Sequence, residues 1–178
     1  MRVTFTKTDA KRYVVTIDRE VAPRLLPRFG PGNDDLLPHD LAHYLVEEHY
    51  GIRLGVFGQL AAGASGLFYA APEDRCLRLT RRDARIGALG RDDMARSEAL
   101  VQVTMAAWER EVGRTWHQGL PVTVDVDPSR LAAGVRRIHE VSARWSALRF
   151  GDELTLRWPA HLSVNVAGSR EGRRHRVG

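Results

Sequence analysis

Side chains that carry protons or bind metal ions crowd into one short stretch, LLPHDLAHYLVEEHYG, between Leu36 and Gly51. His39, Asp40, His43 and Glu47 come first, and Glu48 and His49 follow directly. No other stretch of the chain is as dense in imidazole and carboxylate groups. Together such groups move protons or hold a divalent cation. Which of these they do depends on the backbone that carries them. Pro38 lacks an N–H and has a fixed φ, so it suits a helix start. Leu41, Tyr44 and Leu45 recur at helical spacing, and Gly51 has the character of a C-terminal stop. The pattern predicts a helix over about residues 38–50.

On that helix His39 and His43 lie four residues apart and share a face. This is the spacing of the two zinc ligands in HExxH helices. His39-Asp40-Leu41-Ala42-His43 resembles that zincin motif over five residues, with Asp in the place of Glu. The resemblance implies that His39 and His43 hold a divalent metal such as zinc. It also implies that Asp40 orients or deprotonates a metal-bound water. A mononuclear site needs a third protein ligand. Glu47 lies eight residues beyond His39, roughly 12 Å along a helix axis. It therefore reaches His43 more easily than both imidazoles, and is read as a catalytic or supporting carboxylate. The third ligand is expected from another segment, with His117 the best placed and Asp125, His139 and Glu140 as alternatives. Leu37-Pro38-His39-Asp40 is also similar to the His-Asp pair of HD-type phosphohydrolases. Those enzymes need an upstream histidine, and none precedes His39. A purely structural reading stands beside the metal site. In it Asp40 complements the helix dipole, His43 is a hydrogen-bonded core histidine and Glu47 to His49 form a solvated face.

The elements that must position this helix are legible from periodicity. Val3 and Phe5 alternate with polar residues, as do Tyr13, Val15 and Ile17, so residues 2–7 and 12–18 read as a β-hairpin. Residues 21–38, with Pro23, Pro27, Pro31 and Pro38, read as a long loop delivering the chain to His39. Residues 52–64 are expected to form a second, buried helix. Residues 73–91 carry Arg75, Arg78, Arg81, Arg82, Arg85 and Arg91 and read as a cationic surface. Met94, Val101, Met105, Trp108 and Val112 mark an amphipathic helix that starts near Asp92. Residues 121–126 read as a short strand. Asp127-Pro128 opens a helix over 128–149, with the carboxylate as cap and Pro at its first position. Glu153 to Trp158 alternates as a strand suited to pair with the hairpin. The fold class that follows is α+β: a small antiparallel sheet, formed by the N-terminal hairpin plus a C-terminal strand, packed against four or so helices. Residues 1–167 read as one domain and residues 168–178 as a basic, disordered tail.

Composition narrows the function classes. The chain has 178 residues, 43% hydrophobic and 28% charged, which is ordinary for a folded protein. Lys7 and Lys11 are the only lysines among 27 basic residues. Such an arginine bias fits a GC-rich bacterial genome. Much of the net charge of +5 sits in the last residues, where Arg170, Arg173, Arg174 and Arg176 outweigh Glu171. The folded part is thus only mildly basic, which argues against nucleic acid as the main partner. Cys76 is the single cysteine, so no intrachain disulfide forms. No apolar run approaches the roughly 20 residues of a membrane span, and the first residues lack a signal-peptide core. The expectation is a cytoplasmic, metal-binding protein of hydrolase type that takes a small-molecule or peptide substrate. The runner-up is a non-enzymatic interaction or ligand-binding domain whose arginine-rich segment meets an acidic partner or nucleic acid.

Overall fold

The computed structural model describes residues 1–21, 23–31, 34–115 and 124–166. Strands β1 (Arg2–Lys7) and β2 (Tyr13–Asp18) form the expected hairpin, with Phe5 opposite Val15 and Val3 opposite Ile17. Asp9 closes the turn by accepting from the backbone N–H groups of Lys11 and Arg12. The long loop carries a two-residue strand, β3 (Arg28–Phe29), on the outer side of β2. The chain then builds α1 (His39–Tyr50), α2 (Val56–Ala61), α3 (Leu77–Leu89), α4 (Arg91–Glu111) and α5 (Pro128–Ser146). It returns as β4 (Glu153–Arg157), antiparallel to β1, in the sheet order β3-β2-β1-β4. This is an α+β fold, with the C-terminal strand pairing on the N-terminal hairpin as its alternation requires.

One face of the sheet supplies Val3, Phe5, Tyr13, Val15, Ile17, Leu154 and Leu156 to the core. The helices cover that face, with Phe57, Tyr44 and Trp158 meeting as an aromatic cluster. Lys7 points inward too, where a bare ammonium would be costly. Its Nζ donates to the carbonyls of Trp145 and Leu148 at 3.2 and 3.1 Å, capping the C-terminal end of α5. A cation on those orphan carbonyls also meets the negative end of the helix dipole. The helix stops at Ser146 rather than at residue 149 for the same reason: its last carbonyls are used by Lys7.

Two other expectations changed on folding. The second helix is confined to Val56–Ala61, because the backbone amides at its start are held by a side chain from α1 and Gly63 (φ 99°) turns the chain after it. Residues 73–91, read as a cationic surface with no assigned element, fold as a short entry turn, helix α3 and the first residue of α4. Of the expected strand over 121–126, residues 124–126 are not extended into a ladder, and 121–123 lie outside the described residues, as does the tail from residue 167. Among the described residues no helix is long and apolar enough to cross a membrane.

Helix α1 occupies the centre. Every residue from Asp40 to Glu47 is buried, and the helix packs on α2, α4 and α5. A helix buried on all sides is normally apolar throughout. This one carries Asp40, His43 and Glu47 inside, so each needs a partner supplied from elsewhere in the fold.

Candidate functional site

Asp40 lies in the first turn of α1, and its carboxylate accepts from Arg28 Nη2 at 2.7 Å. Both side chains are largely withdrawn from water. The Asp40 backbone N–H donates to the Tyr13 hydroxyl at 3.1 Å, so β2 and β3 together hold the start of the helix. Burial raises the Asp40 pKa, against the pull of the Arg28 guanidinium. Its carboxylate is thus committed to an ion pair that ties the loop to α1.

Glu47 is wholly buried. Its two oxygens accept from the backbone N–H groups of Val56 at 2.6 Å, Phe57 at 2.9 Å and Gly58 at 3.4 Å. These are the orphan donors at the N-terminus of α2, so Glu47 caps that helix from another one. The approach leaves no room at Gly55, where an added Cβ would stand 2.4 Å from Glu47 Cδ. A fourth donor, Ser97 Oγ on α4, reaches Glu47 Oε1 at 2.8 Å. Burial still outweighs the four hydrogen bonds and raises the Glu47 pKa from near 4.5 to about 7.

The same Ser97 hydroxyl lies 3.2 Å from Nδ1 of His43. A hydroxyl has one proton. With Glu47 ionised, that proton goes to Glu47, and Ser97 accepts from His43 Nδ1–H. The lone pair of His43 is then on Nε2. Burial, aided by the neighbouring His39, lowers the His43 pKa to about 4, so the ring is neutral at physiological pH. Its Nε2 faces Oε2 of Glu98 at 3.7 Å. The exposed His39 ring lies edge-on to the His43 ring, with centroids 4.7 Å apart.

The helical spacing therefore does bring His39 and His43 together at one end of a polar chain, Glu47–Ser97–His43, that runs from the core to the surface. No family model, curated protein or solved structure is matched by this chain. The site must be read from its own geometry. Among the described residues no three His, Cys, Asp or Glu side chains already converge as a metal cage. Of the residues expected to complete one, His117 lies outside the described residues. His139 is held by Glu111 at 2.7 Å on the edge of Trp108. Glu140 is paired with Arg137 at 3.5 Å, and Asp125 is exposed. A cavity of about 440 Å³ lies elsewhere, between Arg2, Asp18, Arg19, Arg157 and Ser163, and no residue of α1 lines it.

Arg28, Ser97 and Glu98 were not anticipated as site residues. Ser97 had a signal. It falls between Met94 and Val101 at spacings of three and four, on the stripe that α4 buries. A lone hydroxyl on such a stripe needs a buried partner. Glu98, one residue on and exposed, had no comparable mark.

Proposed function

We propose that the protein binds a divalent transition metal, with zinc the natural ion, through His39 and His43 at the α1–α4 junction, closed by Glu98. The observation that carries this reading is the orientation of His43. Its Nδ1 is tied to the Ser97 hydroxyl and, through it, to Glu47, while its Nε2 is turned toward Glu98 beside His39. Metal-binding histidines commonly donate their second N–H to an oxygen that fixes ring and tautomer. With Nδ1 held inside by Ser97, Nε2 is the ring atom left to meet an ion between His39 and Glu98.

Two imidazoles and a carboxylate form a common donor set for zinc and for iron-class ions. The Glu98 side chain is 63% exposed, so a change of rotamer can draw it onto a cation without moving the backbone. Three protein ligands leave a fourth position for water or substrate. An ion with an open position lowers the pKa of a bound water and supports hydrolysis. Hydrolysis of a small or peptide substrate is thus the reaction class this site suits. In this reading Glu47 acts behind His43 rather than on substrate. Asp40 sets the helix start through Arg28.

The test is metal binding by the purified full chain, followed by calorimetry with Zn²⁺ and by visible spectroscopy with Co²⁺. The expected result is one ion per chain. His39→Ala should weaken binding at least tenfold and Glu98→Gln should also weaken it. Both positions are exposed, so neither change endangers folding. Absence of stoichiometric metal, or full binding by His39→Ala, would remove the proposal.

A further inference from the structure

Helix α3 is unlike the rest of the fold. Ile86 is its one buried residue, while Leu77, Arg78, Arg81 and Arg85 are exposed along it. Positions 78, 81 and 85 share a face, because steps of three and four residues return to the same side of a helix. They span roughly 10 Å of axis at 1.5 Å per residue. No side-chain hydrogen bond or ion pair among the described residues engages Arg78, Arg81 or Arg85. The one acid of the helix, Asp83, is half-buried and accepts from the backbone N–H of Ser65 at 3.1 Å. Just beyond the helix, Asp93 is likewise occupied by the backbone N–H of Leu54 at 2.8 Å. These two carboxylates are thus turned toward the protein, and the face of α3 that carries Arg78, Arg81 and Arg85 has no acid of its own.

Four kinds of partner could meet such a face, and its chemistry separates them. A protein partner of ordinary affinity needs buried anchors, typically Trp, Tyr or Met, at the centre of the contact. The face offers none. A membrane-surface helix needs a continuous apolar side. Exposed Leu77 and Leu89 stand at opposite ends of α3, about 120° apart around its axis, and make no continuous apolar stripe. Single-stranded nucleic acid needs aromatic stacking platforms, and α3 has no aromatic residue. Duplex nucleic acid needs only cations at phosphate spacing. Its backbone presents one charge per about 1.7 Å of axis, and its major groove, about 12 Å wide, admits a helix. Arginine also matches phosphate with two parallel N–H donors.

We infer that the outward face of α3 is a docking surface for duplex nucleic acid, held at the phosphate backbone by Arg78, Arg81 and Arg85 without reading base sequence. The inference is independent of the metal site, which lies on α1 and α4. Phosphate pairing of this kind releases counterions, so affinity falls steeply with salt. Without base recognition, the dissociation constant belongs in the range of roughly 10⁻⁴ to 10⁻⁶ M at physiological salt.

The experiment is fluorescence anisotropy of a labelled 20-base-pair duplex with the full chain, from 50 to 200 mM KCl. The triple variant Arg78→Gln, Arg81→Gln, Arg85→Gln is compared with a charge-matched control, Arg53→Gln, Arg136→Gln, Arg144→Gln. The control positions are exposed and lie outside α3, so both variants lose the same net charge. Glutamine keeps helix propensity, and circular dichroism checks that both variants fold. The slope of log affinity against log salt should shrink by about 0.9 for each phosphate that no longer meets an arginine, hence by nearly 3 in the α3 variant. In the control the slope should stay at the wild-type value. Three results overturn the inference: no duplex binding at 50 mM KCl, equal slope changes in both variants, or equal affinity for poly-glutamate or anionic vesicles at matched charge.

Discussion

Helices α1 and α3 both carry dense charge and have opposite fates. In α1 the groups go inside, and each acquires a partner: Arg28 for Asp40, Ser97 for His43, and three backbone amides for Glu47. In α3 the arginines stay outside and have no partner within the described residues at positions 78, 81 and 85. The difference teaches that a charged residue is informative through what satisfies it. A buried charge that the fold satisfies is part of the architecture, and its removal is expensive. An exposed charge that the fold leaves alone is available to something outside.

The comparison breaks most sharply at Glu47. Glu47→Ala leaves the α2 amides and the Ser97 hydroxyl without their acceptor in a dry core. The expected loss is about 3–5 kcal/mol in denaturant unfolding. A variant within about 1 kcal/mol of wild type would show that α2 does not depend on this cap. Gly55→Ala follows, at about 1–3 kcal/mol, because its Cβ collides with the Glu47 carboxyl. Pairing it with the smaller Glu47→Ala should recover part of that loss, which a double-mutant cycle measures.

The pH dependence sharpens the comparison further. Glu47 has a raised folded pKa of about 7 against an ordinary value near 4.5, so its contribution is complete below pH 4.5 and is lost as pH rises toward 7. His43 has a depressed folded pKa of about 4 against an ordinary 6.5, so its contribution is complete above pH 6.5 and is lost as pH falls toward 4. Between pH 4.5 and 6.5 the two oppose and nearly cancel. Glu47→Gln removes one of them. Stability of that variant should climb with pH across this window, by up to about 1.4 kcal/mol per pH unit. A flat profile in the variant would contradict the buried, neutral state of His43.

The smallest effect is expected on the other helix. Replacing Arg78, Arg81 and Arg85 together by Gln should change unfolding free energy by less than about 0.5 kcal/mol per site. A larger loss in thermal melting would mean that these arginines hold the fold, and α3 would then resemble α1.

Part of this architecture is legible in the sequence, and for local reasons. The hairpin, helix α1 and helix α5 follow from alternation, helical spacing, and the stops and caps at Gly51 and Asp127-Pro128. The Asp127 side chain does accept from the Arg130 backbone N–H, as a capping carboxylate should. The His39–His43 proximity is likewise a property of one helix. The roles of Glu47 and Asp40 are not legible there. Glu47 reads equally well as a ligand, a base or part of a solvated face, since nothing in a helical repeat says which side another helix will cover. Its capping of α2 also shortens a helix that apolar content alone draws from residue 52 to 64.

Periodicity and turn chemistry act over a few residues, so the chain alone determined its hairpin, its C-terminal strand, helices α1, α4 and α5, and the pairing of two imidazoles on one turn. Tertiary packing decided the rest. Ser97 and Glu98 lie some fifty residues from His43 and Glu47 along the chain, and only the docking of α4 on α1 brings them together. Burial, a property of the whole fold, then set the Glu47 pKa upward and the His43 pKa downward.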